Sequence, residues 1–139
     1  MRSVALLGTG LLGESIGQRL LQKGVSLFVW NRSQERSNAL IDAGAQALNR
    51  PSEAPRCCDS LITVLRDGPA TADVLKDIGP LDGSTLITMG TVGVTESQSL
   101  AKQAAQQGGR YLEAPVLGSK PQALNGSLLV MAGGDAEVF

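Results

Sequence analysis

VALLGTGLLG, Val4 to Gly13, is the stretch on which the fold turns. Val4 to Leu7 is apolar without alternation, the pattern of a strand buried on both faces of a parallel sheet. The turn GTGLLG then places glycine at 8, 10 and 13. Beyond it Leu12, Ile16, Leu20 and Leu21 recur at helical spacing and stop at Lys23-Gly24, a helix C-terminal signal. SLFVW, Ser26 to Trp30, reads as a second strand. A lone G-x-G-x-x-G is weak. Within a strand-helix-strand unit of about 30 residues it has the context that a dinucleotide turn requires. Gly8 permits the tight turn, Gly10 lets the backbone approach a pyrophosphate, and Gly13 lets the helix pack on the strand. The turn from Gly8 and Thr9 through Gly10 to Leu11, Leu12 and Gly13 is thus a candidate phosphate cradle at a helix N-terminus, where free N–H groups and a partial positive charge favour anions.

The same letters test a rival. GTGLLGES has the spacing of the phosphate loop G-x-x-x-x-G-K-[ST], with Ser15 in place. Glu14 stands where the lysine must be, and a carboxylate there repels a terminal phosphate. An ATPase or GTPase is excluded on that residue.

Past the second strand, Ser33-Gln34-Glu35 caps a helix running through Leu40 and Ile41 to Gly44. Arg50 to Pro55 is a loop or a short helix. Leu61 to Leu65 is a third buried run, Ala70 to Ile78 a helix, and Thr85 to Thr88 a fourth strand. Thr95 to Gln107 is an Ala/Gln-rich helix, Tyr111 to Glu113 a fifth strand and Leu128 to Met131 a sixth. Apolar strands alternating with helices predict an α/β domain over residues 1–139. It is doubly wound around a mostly parallel sheet with helices on both faces, the Rossmann arrangement.

Bulk properties narrow the function. The chain has 139 residues and a net charge of −1, with 3% aromatics and no basic block. Nucleic-acid binding by a basic stripe or a stacking platform has no support. Cys57 and Cys58 are adjacent, and there is no histidine to complete a metal site. No metal is expected, and the pair reads as two reduced thiols of a cytoplasmic protein. MRSVALLG is too short an apolar run for a signal peptide. No stretch approaches the ~18 apolar residues of a membrane helix, so no membrane partner is expected.

VWNRS, Val29 to Ser33, then sets the cofactor. About 20 residues past such a turn a carboxylate is expected for a free ribose 2′-hydroxyl, and an arginine nearby for a 2′-phosphate. The chain offers Asn31, Arg32 and Ser33. Arg32 supplies charge-assisted hydrogen bonds and its neighbours neutral ones. The trio points to NADP(H) over NAD(H), and away from FAD and S-adenosylmethionine.

A further segment resembles a known family. GGRYLEAPVLGSKPQALNGSLLVMAGGD, Gly108 to Asp135, is similar to the substrate-loop segment of the β-hydroxyacid dehydrogenases, which include 3-hydroxyisobutyrate dehydrogenase. With VWNRS and GSK, it most resembles the NADPH-dependent glyoxylate/succinic semialdehyde reductases. The resemblance runs from Val4 to Phe139, and its specific part is A-P-V-x-G-S-x-x-x-A-x-x-G-x-L-x-x-M-x-G-G. It implies hydride transfer from NADPH to a small carboxylate-bearing aldehyde or keto acid. It implies that Leu65 and Arg66 lie beside the cofactor and Thr91 near its nicotinamide end. It also implies that Leu117, Gly118 and Ser119 meet the substrate carboxylate, largely through backbone N–H groups. Lys120 reads as a solvated or carboxylate-steering charge.

The chain departs from the family at Leu117, where serine is usual, and at Thr88-Met89-Gly90, where Asp-Met-Ser is usual. The family continues past the GGD motif through a further helix and strand into an all-helical domain, whose lysine protonates the carbonyl oxygen. Nothing before Phe139 matches that lysine. The expectation is therefore a truncated domain with no catalytic residue of its own, and a homo-oligomer only for a full-length parent. The alternatives are an imine reductase relative and a non-catalytic NADP-binding module.

Overall fold

Runs of apolar residues can fill the centre of a sheet only if both faces are covered, and that is how this chain uses them. The computed structural model describes residues 3–138; Met1, Arg2 and Phe139 lie outside the described residues. In chain order the elements are β1 (Ser3–Leu7), α1 (Leu11–Gln22), β2 (Ser26–Trp30), α2 (Asn38–Asp42), β3 (Gln46–Ala47), α3 (Ala54–Cys57) and β4 (Ser60–Thr63). There follow α4 (Gly68–Ile78), β5 (Thr85–Thr88), α5 (Val94–Gln106), β6 (Arg110–Glu113), β7 (Val116–Leu117), α6 (Lys120–Asn125), β8 (Leu129–Val130) and β9 (Gly133–Gly134). The main sheet has the order β3-β2-β1-β4-β5-β6-β9. All its pairings are parallel except β6 with β9, where Leu112 faces Gly134. Leu6 is in register with Val29 on one side and Ile62 on the other. The doubly wound, mostly parallel fold read from the sequence is the observed one.

The two-residue period of the strands divides the core. Ala5, Leu7, Leu61 and Leu86 point to the face covered by α4 and α5, which contribute Val74, Leu75, Ile78, Leu100 and Ala104. Leu6, Leu27, Val29 and Ile62 point to the other, where Leu20 and Leu21 of α1 and Leu40 of α2 meet them. A fully buried leucine contributes about 1.5–3 kcal/mol relative to an exposed one. Leu6, Leu7, Leu61, Leu75 and Leu86 are all fully buried.

Three readings change in detail, and a fourth, the loop or short helix over Arg50 to Pro55, is resolved in favour of the helix. The helix expected over Ser33 to Gly44 is a 3-10 turn, Gln34–Ser37, leading into the short α2, and the Ser33 side chain makes no capping hydrogen bond. The strand expected over Leu128 to Met131 is only Leu129–Val130. It pairs antiparallel with β7 outside the main sheet, Val116 facing Val130. The third buried run leaves the sheet after Thr63, which puts Leu65 in a loop. The Arg50 to Pro55 stretch runs through a 3-10 turn, Pro51–Glu53, into the short helix α3. Among the described residues no helix is long and apolar enough to cross a membrane.

Candidate functional site

In sheets of this order ligands bind beyond the carboxyl ends of the strands, where the strand order reverses. Here that point lies between β1 and β4, the first strand of each half. The loops after β1, β2, β4 and β5 all leave from this edge.

The glycine turn follows β1. Gly8 has φ +111°, and a side chain on it would run into the Val64 carbonyl of the neighbouring loop. Its N–H donates to the Trp30 carbonyl at 2.9 Å. A side chain on Gly13 would strike the Gly8 carbonyl, so this glycine is what lets α1 begin hard against the turn. Gly10 differs: nothing lies within 4 Å of where its Cβ would be. It occupies the N-cap of α1 without any side-chain cap. The first hydrogen bond of the helix runs from Glu14 N–H to the Gly10 carbonyl, at 2.8 Å. The amides of Leu11, Leu12 and Gly13 therefore have no acceptor within the helix. They border the open space over Gly10, a cradle that a Cβ would begin to fill. The geometry fits a pyrophosphate.

The loop after β2 carries Asn31, Arg32 and Ser33. Together with Trp30, Arg36, Leu65 and Arg66 it lines a cleft of about 330 Å3, continued at its base by Ala70 and Val74 of α4. The chain thus gathers three arginines at one cleft, with no carboxylate among the lining residues. Among the described residues the one ion pair is Arg66 Nε to Asp67 Oδ2, at 3.2 Å and exposed. Arg32 has no carboxylate partner there. Sequence reasoning singled out Arg32 and missed Arg36. Arg36 reaches the cleft from the 3-10 turn Gln34–Ser37, which begins only after Arg32, so no regular spacing linked the two in the sequence. Sequence reasoning also missed the contacts that hold the glycine turn. Thr9 N–H donates to Asn31 Oδ1 at 2.9 Å, and the Thr9 and Ser37 hydroxyls are 3.2 Å apart and buried.

The loop after β4 borders both regions. Leu65 Cδ2 lies 3.0 Å from the position a Gly8 Cβ would take. Asp67 caps α4, its Oδ1 accepting the Ala70 N–H at 2.9 Å. That backbone hydrogen bond, aided by Arg66, holds the Asp67 carboxyl below its ordinary value. The loop after β5 carries Thr91, which is exposed. It meets the β4 loop at Gly90, whose Cβ would come 2.6 Å from the Leu65 carbonyl oxygen. Glu96 then fixes the start of α5 by accepting the Gly93 N–H at 3.0 Å.

Leu117, Gly118, Ser119 and Lys120 are placed through different elements, at the end of β7 and the start of α6. All four are exposed. Gly118 has φ +130°, and a Cβ on it would come 2.7 Å from Leu128 Cδ2. Gln122 Oε1 accepts both the Ser119 N–H, at 2.9 Å, and its hydroxyl, at 2.8 Å. One of the amides expected to meet a substrate carboxylate is thereby already engaged. The packing of α6 on α1 positions this loop, with the Arg19 guanidinium over Gly126.

Residues 3–139 match the family described as the NAD binding domain of 6-phosphogluconate dehydrogenase. Among curated proteins, glyoxylate/succinic semialdehyde reductase 1 of Arabidopsis thaliana is 33% identical over 98% of this chain and 49% of its own length. The chain spans about half the length of the curated reductases it matches. Among solved structures, an imine reductase from a Pseudomonas species is 32% identical with a TM-score of 0.83, over 87% of this chain and 43% of its own. Psf3 in complex with NADP+ and 2-OPP is 28% identical with a TM-score of 0.89, over 97% and 50%. The 3-hydroxyisobutyrate dehydrogenase of Mycobacterium tuberculosis is 26% identical with a TM-score of 0.88, over 99% and 48%.

Proposed function

The chain belongs to the family of the NAD binding domain of 6-phosphogluconate dehydrogenase, and we propose that it is the NADPH-binding part of a reductase for a small carboxylate-bearing aldehyde or keto acid, of the glyoxylate or succinic semialdehyde type. An NAD(P)-binding oxidoreductase domain is the family's common ground. The preference for NADPH rests on one observation: Arg32 lines the cleft beyond β2 with no acid among the lining residues, and Arg36 lines it too. The solved relative holding NADP+ supports the same reading.

In this reading the pyrophosphate lies on the Leu11, Leu12 and Gly13 amides over Gly10. The 2′-phosphate lies between Arg32 and Arg36, with Ser33 beside it. Leu65 and Arg66 border the adenosine half, and Thr91 the nicotinamide half. When bound, the cofactor supplies hydride to the carbonyl carbon. The loop from Leu117 to Lys120 receives the substrate carboxylate: the Gly118 backbone offers an amide donor, and Lys120 a positive charge that steers the anion. The Leu117 side chain offers no hydroxyl, so recognition at that position rests on the main chain. No lysine among these residues matches the one that, by the family resemblance, protonates the carbonyl oxygen.

Titration decides the cofactor. NADPH is expected to bind well ahead of NADH. A lost hydrogen bond to a charged group costs about 1.5–3 kcal/mol, or roughly 10- to 100-fold in affinity. Arg32→Ala is expected to weaken NADPH by that factor and to leave NADH nearly unchanged. Equal losses for both would remove Arg32 from the 2′-phosphate. The likeness to an imine reductase favours a second reading, in which the same cofactor half serves a C=N substrate. Glyoxylate and a cyclic imine offered in parallel to the full-length enzyme separate the two.

A further inference from the structure

We infer that Asn31 is a positioning residue that joins the pyrophosphate turn to the 2′-phosphate loop, so that it governs the binding of NADPH and NADH alike and not the 2′-phosphate alone. This rests on the cofactor reading above and deepens it. The carboxamide is used at both ends: Oδ1 accepts the Thr9 N–H at 2.9 Å, and Nδ2 donates to the Ser33 carbonyl at 3.0 Å. Thr9 lies between Gly8 and Gly10, and Ser33 directly follows Arg32. One side chain therefore links the loop assigned to the pyrophosphate with the loop assigned to the 2′-phosphate.

Two other bonds run in parallel with it. Gly8 N–H donates to the Trp30 carbonyl at 2.9 Å, and the Thr9 hydroxyl meets that of Ser37 at 3.2 Å in a buried contact. The loops after β1 and β2 are thus one unit, with Asn31 in its middle. The residue type follows from the geometry. A carboxamide has a donor and an acceptor on one planar group, whereas a carboxylate only accepts. Aspartate at 31 would keep the bond from Thr9. It would also turn a negative oxygen toward the Ser33 carbonyl and toward the 2′-phosphate position.

The test compares Asn31→Ala, Asn31→Asp and Arg32→Ala by titration with NADPH and with NADH, and by hydrogen exchange at the Thr9 amide without nucleotide. Asn31→Ala is expected to weaken both nucleotides by a similar factor, about 5- to 150-fold for two lost neutral hydrogen bonds, and to expose the Thr9 amide to exchange. Asn31→Asp is expected to restore Thr9 protection and NADH binding to within about threefold of the parent, while NADPH stays weak. Arg32→Ala is expected to weaken NADPH far more than NADH and to leave the Thr9 amide protected. A loss confined to NADPH in Asn31→Ala would make Asn31 a direct phosphate ligand and overturn the inference. So would unchanged exchange at Thr9. Should Asn31→Ala not fold, Asn31→Asp alone decides: loss of NADH binding while the Thr9 amide stays protected refutes the joining role. If the parent chain binds neither nucleotide, the cofactor reading fails, while Thr9 exchange still reports on the contact itself.

Discussion

Gly8, Gly10 and Gly13 are one motif on paper and three different physical situations in the fold. Gly8 is held at φ +111° with the Val64 carbonyl where a side chain would go, and Gly13 is packed against the Gly8 carbonyl. Gly10 has ordinary dihedrals for any residue, φ −67° and ψ −169°, with open space beside it. Stability and binding should therefore separate. Gly8→Ala and Gly13→Ala are each expected to lower the unfolding free energy by about 1–3 kcal/mol for overpacking, read as a lower denaturant midpoint. Gly10→Ala is expected to change stability by less than about 1 kcal/mol, yet to weaken NADPH and NADH at least about tenfold, because the methyl occupies the pyrophosphate's space. Denaturation curves and titrations on the three variants check this. A Gly10→Ala protein that binds as well as the parent would move the pyrophosphate away from the turn.

At the scale of elements, what the sequence disclosed and what it hid have separate causes. β1, β2, β4 and β5 were legible because a strand covered on both faces must be a short apolar run. β3 and β9 are two residues each, Gln46–Ala47 and Gly133–Gly134, and exist only because neighbouring strands offer an edge. No local pattern announces them. Leu128 to Met131 looked like a sheet strand since its hydrophobicity is local, whereas its partner, β7, is chosen by tertiary context. The missed α6 was readable: Ser119, Pro121, Gln122 and Gly126 are its N-cap, first-turn proline, capping-box partner and left-handed C-cap. Of the candidate site, the glycine turn and Arg32 were legible as local patterns. The bond from Thr9 to Asn31 spans two loops and needed the fold. Element α4 also carries a pH dependence. Its cap, Asp67, has a lowered pKa, chiefly from the Ala70 N–H. The cap's contribution is complete above the ordinary value of 3.8 and is lost as pH falls through the lower folded value. Asp67→Asn keeps an acceptor without the titration. It should flatten the acid limb of a stability-against-pH curve, measured below pH 4 by circular dichroism; an unchanged limb would show that other carboxyls dominate.

Across the whole molecule, binding and turnover should come apart. Hydride delivery leaves charge on the carbonyl oxygen, and a positioned general acid is typically worth about 10²–10⁴ in rate. These 139 residues contain no histidine. Of the lysines, Lys120 alone adjoins the loop proposed to receive the substrate, at the start of α6; Lys76 and Lys102 lie in α4 and α5, and Lys23 ends α1. Assayed as this chain, nucleotide binding is expected without measurable reduction of glyoxylate or succinic semialdehyde. Turnover abolished by Lys120→Ala would make Lys120 the acid. The far edge of the sheet holds something of a different kind. Cys57 is exposed and lines a hollow with Ser3, Val4, Asp59 and Ser60, at the starting ends of β1 and β4. Cys58 beside it is buried, and burial, then the neighbouring Cys57 and Asp59 charges, push its thiol up to about 12. Below pH 9 the fold keeps that proton at no cost; as pH climbs from 9 toward 12 the unfolded chain ionises first and the native state loses ground. At pH 8 the pair is thus a built-in label and a built-in clock. Iodoacetamide should take one equivalent quickly and the second only when the domain opens. NADPH at about 100 times its Kd should slow that second event roughly 100-fold, if opening and reclosing outpace alkylation, while the first thiol, at the opposite edge from the glycine turn, goes on reacting unhindered.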